Sequence, residues 1–483
     1  MGAPRTGHAR GVAQRSCPPL RGRHAAGASQ RLVPRGRHRT PRRRGDQRHH
    51  RRRPPRIRRG VSVRTHLDHT ERVRAVLDPA FAALADETEL IAVHDPALAG
   101  RVAAHAVVSP IPLPPFDNSQ MDGYAVRVAD FGEFGPGARG VTELRIGRTT
   151  AAGDAAASHE AGTAAPIMTG APIPAGADAV IPIEQADPAR FTELRRADDP
   201  APRGTVRFRA APAPGAFVRP RGSDLAAGAP LIAAGTRLTP ARIGLLANAG
   251  VTELAVHRRP RVLLLSTGDE VAAPGTPLGP GHVGDANTPM LTALMTGLGA
   301  EVSAHRAPDL PDAVERVLAA HGPAADLIVT SGGISAGAFE VVREVLTDHG
   351  VEFGGIALQP GGPQGLGYWD PDGARVPVLC FPGNPVSSAL SAELFLAPAL
   401  RAAAGRPERL PVDTRELAHA VDSPAQKHQV RRGRFDAAGR VHLTGPSSHL
   451  LADLAAAELL AHIPLGVDHL PAGSPIEIWR LDV

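Results

Sequence analysis

The sequence predicts a multidomain protein built on a central, mainly parallel α/β domain with β-rich segments around it. Three observations lead there. Short apolar runs lie at residues 262–266, 326–330 and 376–381, the second of them rich in β-branched residues, and a polar loop and a helix-forming stretch follow each of them. Short β-like runs divided by Gly and Pro turns fill residues 117–209 and again residues 411–483. At 483 residues the chain has room for about three domains.

Charge is unevenly placed. The first sixty residues hold 19 Arg and one acid, Asp46, a net of +18 against +6 for the whole chain, which leaves −12 for the rest. The high pI therefore belongs to a basic arm, and the body is acidic. The arm is rich in Arg, Pro, Gly and His and lacks apolar periodicity, so it is expected to be disordered. It reads as a nucleic-acid-binding tail, an Arg-rich targeting segment, or upstream sequence outside the mature protein, and the last is preferred. Cys17 and Cys380 are the only cysteines, which excludes a disulfide framework or a thiolate metal cluster and suits a reducing, cytoplasmic setting. No apolar run reaches the ~18–20 residues that span a membrane.

In chain order, residues 66–105 carry helical spacing, with Val73, Val76, Leu77, Phe81 and Leu84 on one face. Residues 110–115 form a stiff, proline-rich connector. Asp122-Gly123 marks a tight turn and Tyr124-Ala125-Val126 a strand. The prolines in residues 167–182 imply loop and edge-strand structure. Thr239 as N-cap, Pro240 at the first helical position and Gly250 as stop frame a helix. Pro289 opens another, through Leu291, Leu294 and Leu298. Residues 411–483 read as a small all-β domain.

The chemistry gathers in the α/β loops. Residues 331–337 (SGGISAG) follow one strand and precede helical spacing from Phe339 onward. Strand, Gly/Ser loop and helix together aim backbone N–H groups at an anion. The spacing matches neither the dinucleotide fingerprint nor the Walker loop. Asp269, in Thr267-Gly268-Asp269-Glu270, and Asp285, in the loop before Pro289, are expected at the same sheet edge as that loop and as Pro382-Gly383-Asn384-Pro385. Such sheets bind ligands there. Two carboxylates beside amide-rich loops suit Mg²⁺ and a phosphate ester or anhydride. No Ser/His/Asp order or HExxH pattern suggests another route.

Five motifs in order carry a family resemblance: MDGYA (121–125), IMTGAPIP with GADAV (167–180), STGDEV (266–271), TSGGISAG (330–337) and FPGNPVS (381–387). Together they closely resemble the MoeA family of molybdopterin molybdenumtransferases, also represented by the E domain of gephyrin, over residues 63–483. The resemblance implies an elongated segment (63–116 and 210–257), a β-rich domain (117–209), a three-layer α/β molybdopterin-binding domain (258–405) and a C-terminal β-barrel (406–483). It implies a homodimer with its cleft between the α/β domain of one subunit and the β-rich domain of the other. The implied reaction inserts molybdate into adenylylated molybdopterin, with Mg²⁺-dependent release of AMP.

By the same resemblance, Asp122 and Thr169 face the cleft across the dimer, and Asp269 and Asp285 serve metal and nucleotide. Ser331, Gly332, Gly333 and Ser335 form the pterin-phosphate loop, and Gly383, Asn384, Pro385 and Ser387 close the site. Ser448 and Lys427, the chain's one lysine, bind the oxyanion. A molybdopterin adenylyltransferase and apo-molybdoenzymes are implied partners. This chain departs from the family at Gln359-Pro360-Gly361-Gly362-Pro363, where KPGKP is frequent, at Glu340 in place of Asp, and at Ser223 in place of Glu. A scaffold of the same fold with weakened turnover is the alternative, and a nucleic-acid binder resting on the arm is a third reading. The loop acids favour the enzyme.

Overall fold

The computed structural model describes residues 64–132, 139–155, 157–194, 204–335, 340–371, 373 and 375–481. The basic arm lies outside the described residues, as do residues 336–339, where the glycine loop ends and the next helix was expected to begin.

Thr65 and Asp68 form a reciprocal capping box that starts the helix His66–Ala83. His69, Val73, Leu77 and Phe81 form its buried stripe. The expected continuation to residue 105 does not occur. Thr88–Ala92 is a strand paired antiparallel with Glu253–His257. The reason is periodicity: Ile91 and Val93 are buried while Leu90 is exposed, and that period of two suits a strand. The helix Pro240–Asn248 keeps its expected frame, with the Thr239 hydroxyl accepting from the Arg242 N–H and Gly250 at φ 80°.

The β-rich segment forms a six-stranded sheet in the order Ala179–Pro182, Gly123–Val126, Thr163–Ile167, Arg139–Ile146, Thr205–Ala210, Ala186–Asp187. A Cβ on Gly123 would lie 2.1 Å from the Ile181 carbonyl oxygen, so only glycine fits after Asp122.

The central sheet runs Glu301–Ala307, Arg261–Thr267, Leu327–Ser331, Val376–Phe381, Pro363–Trp369, Glu352–Gly355. Its first four strands are parallel and the last two antiparallel. Alternate residues feed two cores. Val262, Leu264, Val329 and Phe381 pack with helices His66–Ala83, Asn287–Gly297 and Pro385–Ser391, whereas Leu263, Leu265, Ile328 and Cys380 pack with Pro311–His321 and Val341–Asp348. From Arg261–Thr267 the chain moves to the neighbour on one side, and it then returns to Leu327–Ser331 on the other. The connections therefore diverge outside the carboxyl ends of those two strands, the place where open α/β sheets take ligands.

The C-terminal sheet follows the order Leu358–Gln359, His428–Phe435, Leu459–Ile463, Pro475–Arg480, Val412–Glu416, with Val441–Leu443 beside the second of these. A short helix, Leu451–Ala455, interrupts the expected all-β stretch. Among the described residues no helix is long and apolar enough to cross a membrane.

Candidate functional site

A cleft of about 580 Å³ opens at the divergence point, lined by residues from the loops after all four parallel strands. Close backbone packing brings these loops together. Gly332 has φ 100°, and a Cβ there would lie 2.8 Å from the Thr267 carbonyl oxygen. A Cβ on Gly383 would sit 3.3 Å from the Gly332 Cα. Glycine is needed at Gly332, and at Gly383 it spares the loops a tight contact.

One side chain ties the loops together. The Asn287 amide nitrogen donates to Ser331 Oγ and to the Gly383 carbonyl, each at 2.7 Å. Ser331 Oγ is 3.1 Å from Ser388 Oγ, and the Ser388 hydroxyl bonds the Pro382 carbonyl. Ser331 is only 1% exposed, so its hydroxyl organises the loop from beneath. Gly332, Gly333, Ser335, Gly383, Asn384 and Pro385 line the cleft, and Ser387 is buried behind it. Asn384 caps the helix Pro385–Ser391 through the Ser387 N–H and reaches His449 Nδ1 at 3.4 Å. The Thr267 hydroxyl and the Asn287 Oδ1 also belong to cleft residues, and both are buried without a hydrogen-bond partner.

The glycine loop already holds an internal anion. The Ser335 N–H donates to the Glu340 carboxylate at 2.6 Å. Glu270, Asp285, Asp309 and Glu340 line the cleft. Asp269 does not; its carboxylate accepts the Asp309 N–H, while the Asp309 carboxylate accepts the Asp269 N–H, both at 3.1 Å. Burial, then the negative charges of Asp269, Glu270 and Glu340, push the Asp309 carboxyl above its ordinary value, against the Asp269 N–H that lowers it. Asp285 is 7% exposed. Its Oδ1 accepts the Thr288 N–H at 3.0 Å, and its Oδ2 lies 3.5 Å from Arg306 Nε with no hydrogen bond. Among the described residues no three His, Cys, Asp or Glu side chains are grouped to hold a metal by themselves.

The remaining expected residues stand apart. Asp122 Oδ1 accepts the Thr169 N–H at 2.7 Å and its hydroxyl at 2.8 Å, and these bonds hold the Asp122 carboxyl below its usual range. Both residues are exposed on the β-rich segment, and neither lines the cleft. Lys427 is exposed and Ser448 half-buried. The loop before Ser448 is anchored by the fully buried Arg432, which donates to the Gly445 and Ser447 carbonyls.

Sequence reasoning missed Asn287, Glu270, Asp309 and Arg306. Asn287 looked like part of a helix start, and Glu270 stood next to the acid that was chosen. Asp309 and Arg306 had no local signal, because their place comes from the parallel pairing of Glu301–Ala307 with Arg261–Thr267.

Two family models match the chain: the MoeA N-terminal region (domains I and II) at residues 62–250 and a probable molybdopterin-binding domain at residues 263–402. The chain is 41% identical over 394 residues to molybdopterin molybdenumtransferase 2 of Mycobacterium tuberculosis, covering 79% of this chain and 93% of that one. It is 34% identical over 393 residues to the molybdopterin molybdenumtransferase of Synechococcus elongatus, covering 79% and 92%. The molybdopterin biosynthesis MoeA protein of Pyrococcus horikoshii is similar in structure, with a TM-score of 0.66 and 27% identity over 84% of this chain and 99% of that one.

Proposed function

The chain belongs to the MoeA family of molybdopterin molybdenumtransferases, and on that premise we propose that its cleft inserts molybdate into adenylylated molybdopterin with release of AMP. The supporting observation is the meeting of three amide-rich loops with a crowd of acids at the divergence point of the sheet. Backbone N–H groups there bind phosphoryl oxygens, at about 1.5–3 kcal/mol for each hydrogen bond to a charged group. An incoming phosphoryl oxygen competes with the Glu340 carboxylate for the Ser335 N–H.

The residues fit a Mg²⁺ that takes one or two carboxylates from the protein and its other ligands from substrate and water. The upward push on Asp309 marks a crowding of negative charge that a cation relieves, and the Asp285 Oδ2, which lies beside Arg306 but accepts no hydrogen bond, is left with room for a further ligand. Such an ion supplies charge neutralisation along the phosphate anhydride. Asp285 remains a proposed carboxylate, with Glu270 and Asp309 beside it on the cleft wall, and Asp269 supports them from outside the cleft through its exchange of hydrogen bonds with Asp309. Asn287 keeps the glycine loop and the Pro382–Pro385 loop in register, and Asn384 extends that register to the C-terminal domain through His449. Lys427 and Ser448 are the proposed oxyanion contacts. Asp122 and Thr169, remote from the cleft of their own chain, act in the cleft of a partner subunit in a homodimer.

AMP release from adenylylated molybdopterin in the presence of molybdate and Mg²⁺ tests this reading. Asp285→Ala is expected to slow it by on the order of a hundredfold, about 2.7 kcal/mol of barrier. Wild-type protein without AMP release, or an Asp285→Ala variant at the wild-type rate, would overturn the reading.

A further inference from the structure

A second cavity, of about 410 Å³, lies at the opposite edge of the central sheet, where Pro260 precedes the first strand and Gly299 precedes its neighbour. Its walls carry Arg101, Arg237, His257, Arg258, Arg259 and Arg406 and no carboxylate. Two of these charges are met from outside the walls. Arg101 pairs with Glu89 at 3.1 Å, and Arg258 pairs with Glu87 and Asp326 at 2.7 Å each. Among the described residues Arg237, Arg259 and Arg406 make no ion pair.

The carboxyl ends of helices Asn287–Gly297 and Ala397–Ala403 border the same space. Each contributes at most about half a negative charge. Three free guanidinium groups against two helix ends leave a surplus of about +2. Two nitrogens there are also unsatisfied: Arg237 Nε, a donor, and His257 Nδ1, a donor in one tautomer of the ring, are buried without a hydrogen-bond partner. Burial, then the charges of Arg237 and Arg401, disfavour the charged form of Arg406. Two glycines leave room for Arg237. A Cβ on Gly100 would lie 3.2 Å from its Nη2, and one on Gly405 would lie 3.2 Å from its Cβ. Unpaired, half-buried cations fixed side by side are costly unless an anion meets them.

We propose that this cavity binds a tetrahedral oxyanion with two negative charges, held by the guanidinium groups of Arg237 and Arg406 and by the His257 ring. Planar guanidinium groups suit such an ion because they donate paired hydrogen bonds. The two sources of that chemistry are a phosphoryl group and an oxometallate. The site is separate from the cleft, and the proposal stands whether or not the assigned reaction is correct.

Melting of the full chain at pH 8 and constant ionic strength, with sodium phosphate or sodium molybdate replacing sodium chloride, tests the site. A saturable rise in Tm is expected, and the anion that binds more tightly names the source. Arg237→Gln and Arg406→Gln are each expected to weaken that binding at least about tenfold, while Asn384→Ala, which alters the cleft, retains it. Without added oxyanion, Arg406→Gln should melt at or above the wild-type temperature, because it relieves like-charge crowding. A purely structural arginine would melt lower in both conditions, and that result overturns the proposal. So does the absence of a saturable rise in wild type with either ion, or a rise that is lost in Asn384→Ala and kept in both arginine variants.

Discussion

The two edges of the central sheet carry opposite chemistry. At the carboxyl edge, strands end in glycine loops, helices begin, and four acids line a cleft. At the amino edge, helices end, strands begin, and arginines line a cavity without a carboxylate. Parallel topology produces this polarity, because all four parallel strands point one way and the helices that connect them return the other way. The charges also differ in kind. Three of the four cleft acids are bound into local hydrogen bonds, Asp309 through its exchange with Asp269, Asp285 at the Thr288 N–H and Glu340 at the Ser335 N–H, and these fix their positions. Several cavity cations have no such bonds and are set in place by packing alone. An edge organised by hydrogen bonds is damaged when one bond is removed, whereas an edge crowded with like charges is relieved when one charge is removed.

A region outside both edges sets the scale. Between the N-terminal helix and the C-terminal sheet, the His66 ring stacks on His428 at 3.8 Å, and His428 Nε2 lies 3.1 Å from His462 Nδ1. Burial, reinforced by neighbouring positive charge, lowers His69 and His428 to about 4 and His462 to about 3. These rings stay neutral in the folded chain while the unfolded chain takes up protons below about pH 6.5. Stability is therefore complete above pH 6.5 and falls as the pH drops towards 4. The expected loss by pH 5 is on the order of several kcal/mol, read as a falling denaturation midpoint between pH 7.5 and pH 5. A flat midpoint across that window would remove this contribution.

The next largest effect belongs to the cleft edge. Asn287→Ala leaves the Gly383 carbonyl without its partner and the buried Ser331 hydroxyl with Ser388 alone. The expected cost is about 1–3 kcal/mol for the carbonyl left unsatisfied, seen in urea unfolding together with a fall in AMP release. If stability stays at the wild-type level, the three loops are held by glycine packing alone and the contrast between the edges weakens.

The smallest expected change sharpens the contrast from within the cleft. Asp309→Asn removes one charge from a crowded group. Because the folded Asp309 carboxyl is pushed up, its charged form opposes folding at neutral pH and ceases to do so in acid. The variant should therefore melt slightly above wild type at pH 7, with the difference vanishing near pH 4, while AMP release falls. A lower melting temperature at pH 7 would show that the carboxylate's bond to the Asp269 N–H outweighs the crowding.

Local chemistry was legible wherever a short stretch determines its own structure. Thr239-Pro240 and Gly250 framed their helix, Val376–Phe381 announced its strand, and the Asp122-Gly123 turn preceded the strand beginning at Gly123. The glycine loop and the Pro382–Pro385 loop could be read as one ligand edge, because each follows an apolar strand. Other features were hidden. Residues 88–92 looked helical because their partner strand lies some 160 residues later. Leu451–Ala455 was missed because five residues are too short for a periodic signal.

The sequence by itself determined the strand–loop–helix units and the acidic body, because capping, turn chemistry and apolar period act over a few residues. Tertiary structure alone decided which acid faces the cleft. Glu270 and Asp285 face it, while Asp269 turns to Asp309, and Asn287 bridges two loops that lie far apart in the chain. It also decided that arginines near residues 101, 237, 258 and 406 share one space. Those neighbours are set by strand order and helix packing, and a side chain's charge acts on whatever the fold brings within a few ångströms of it.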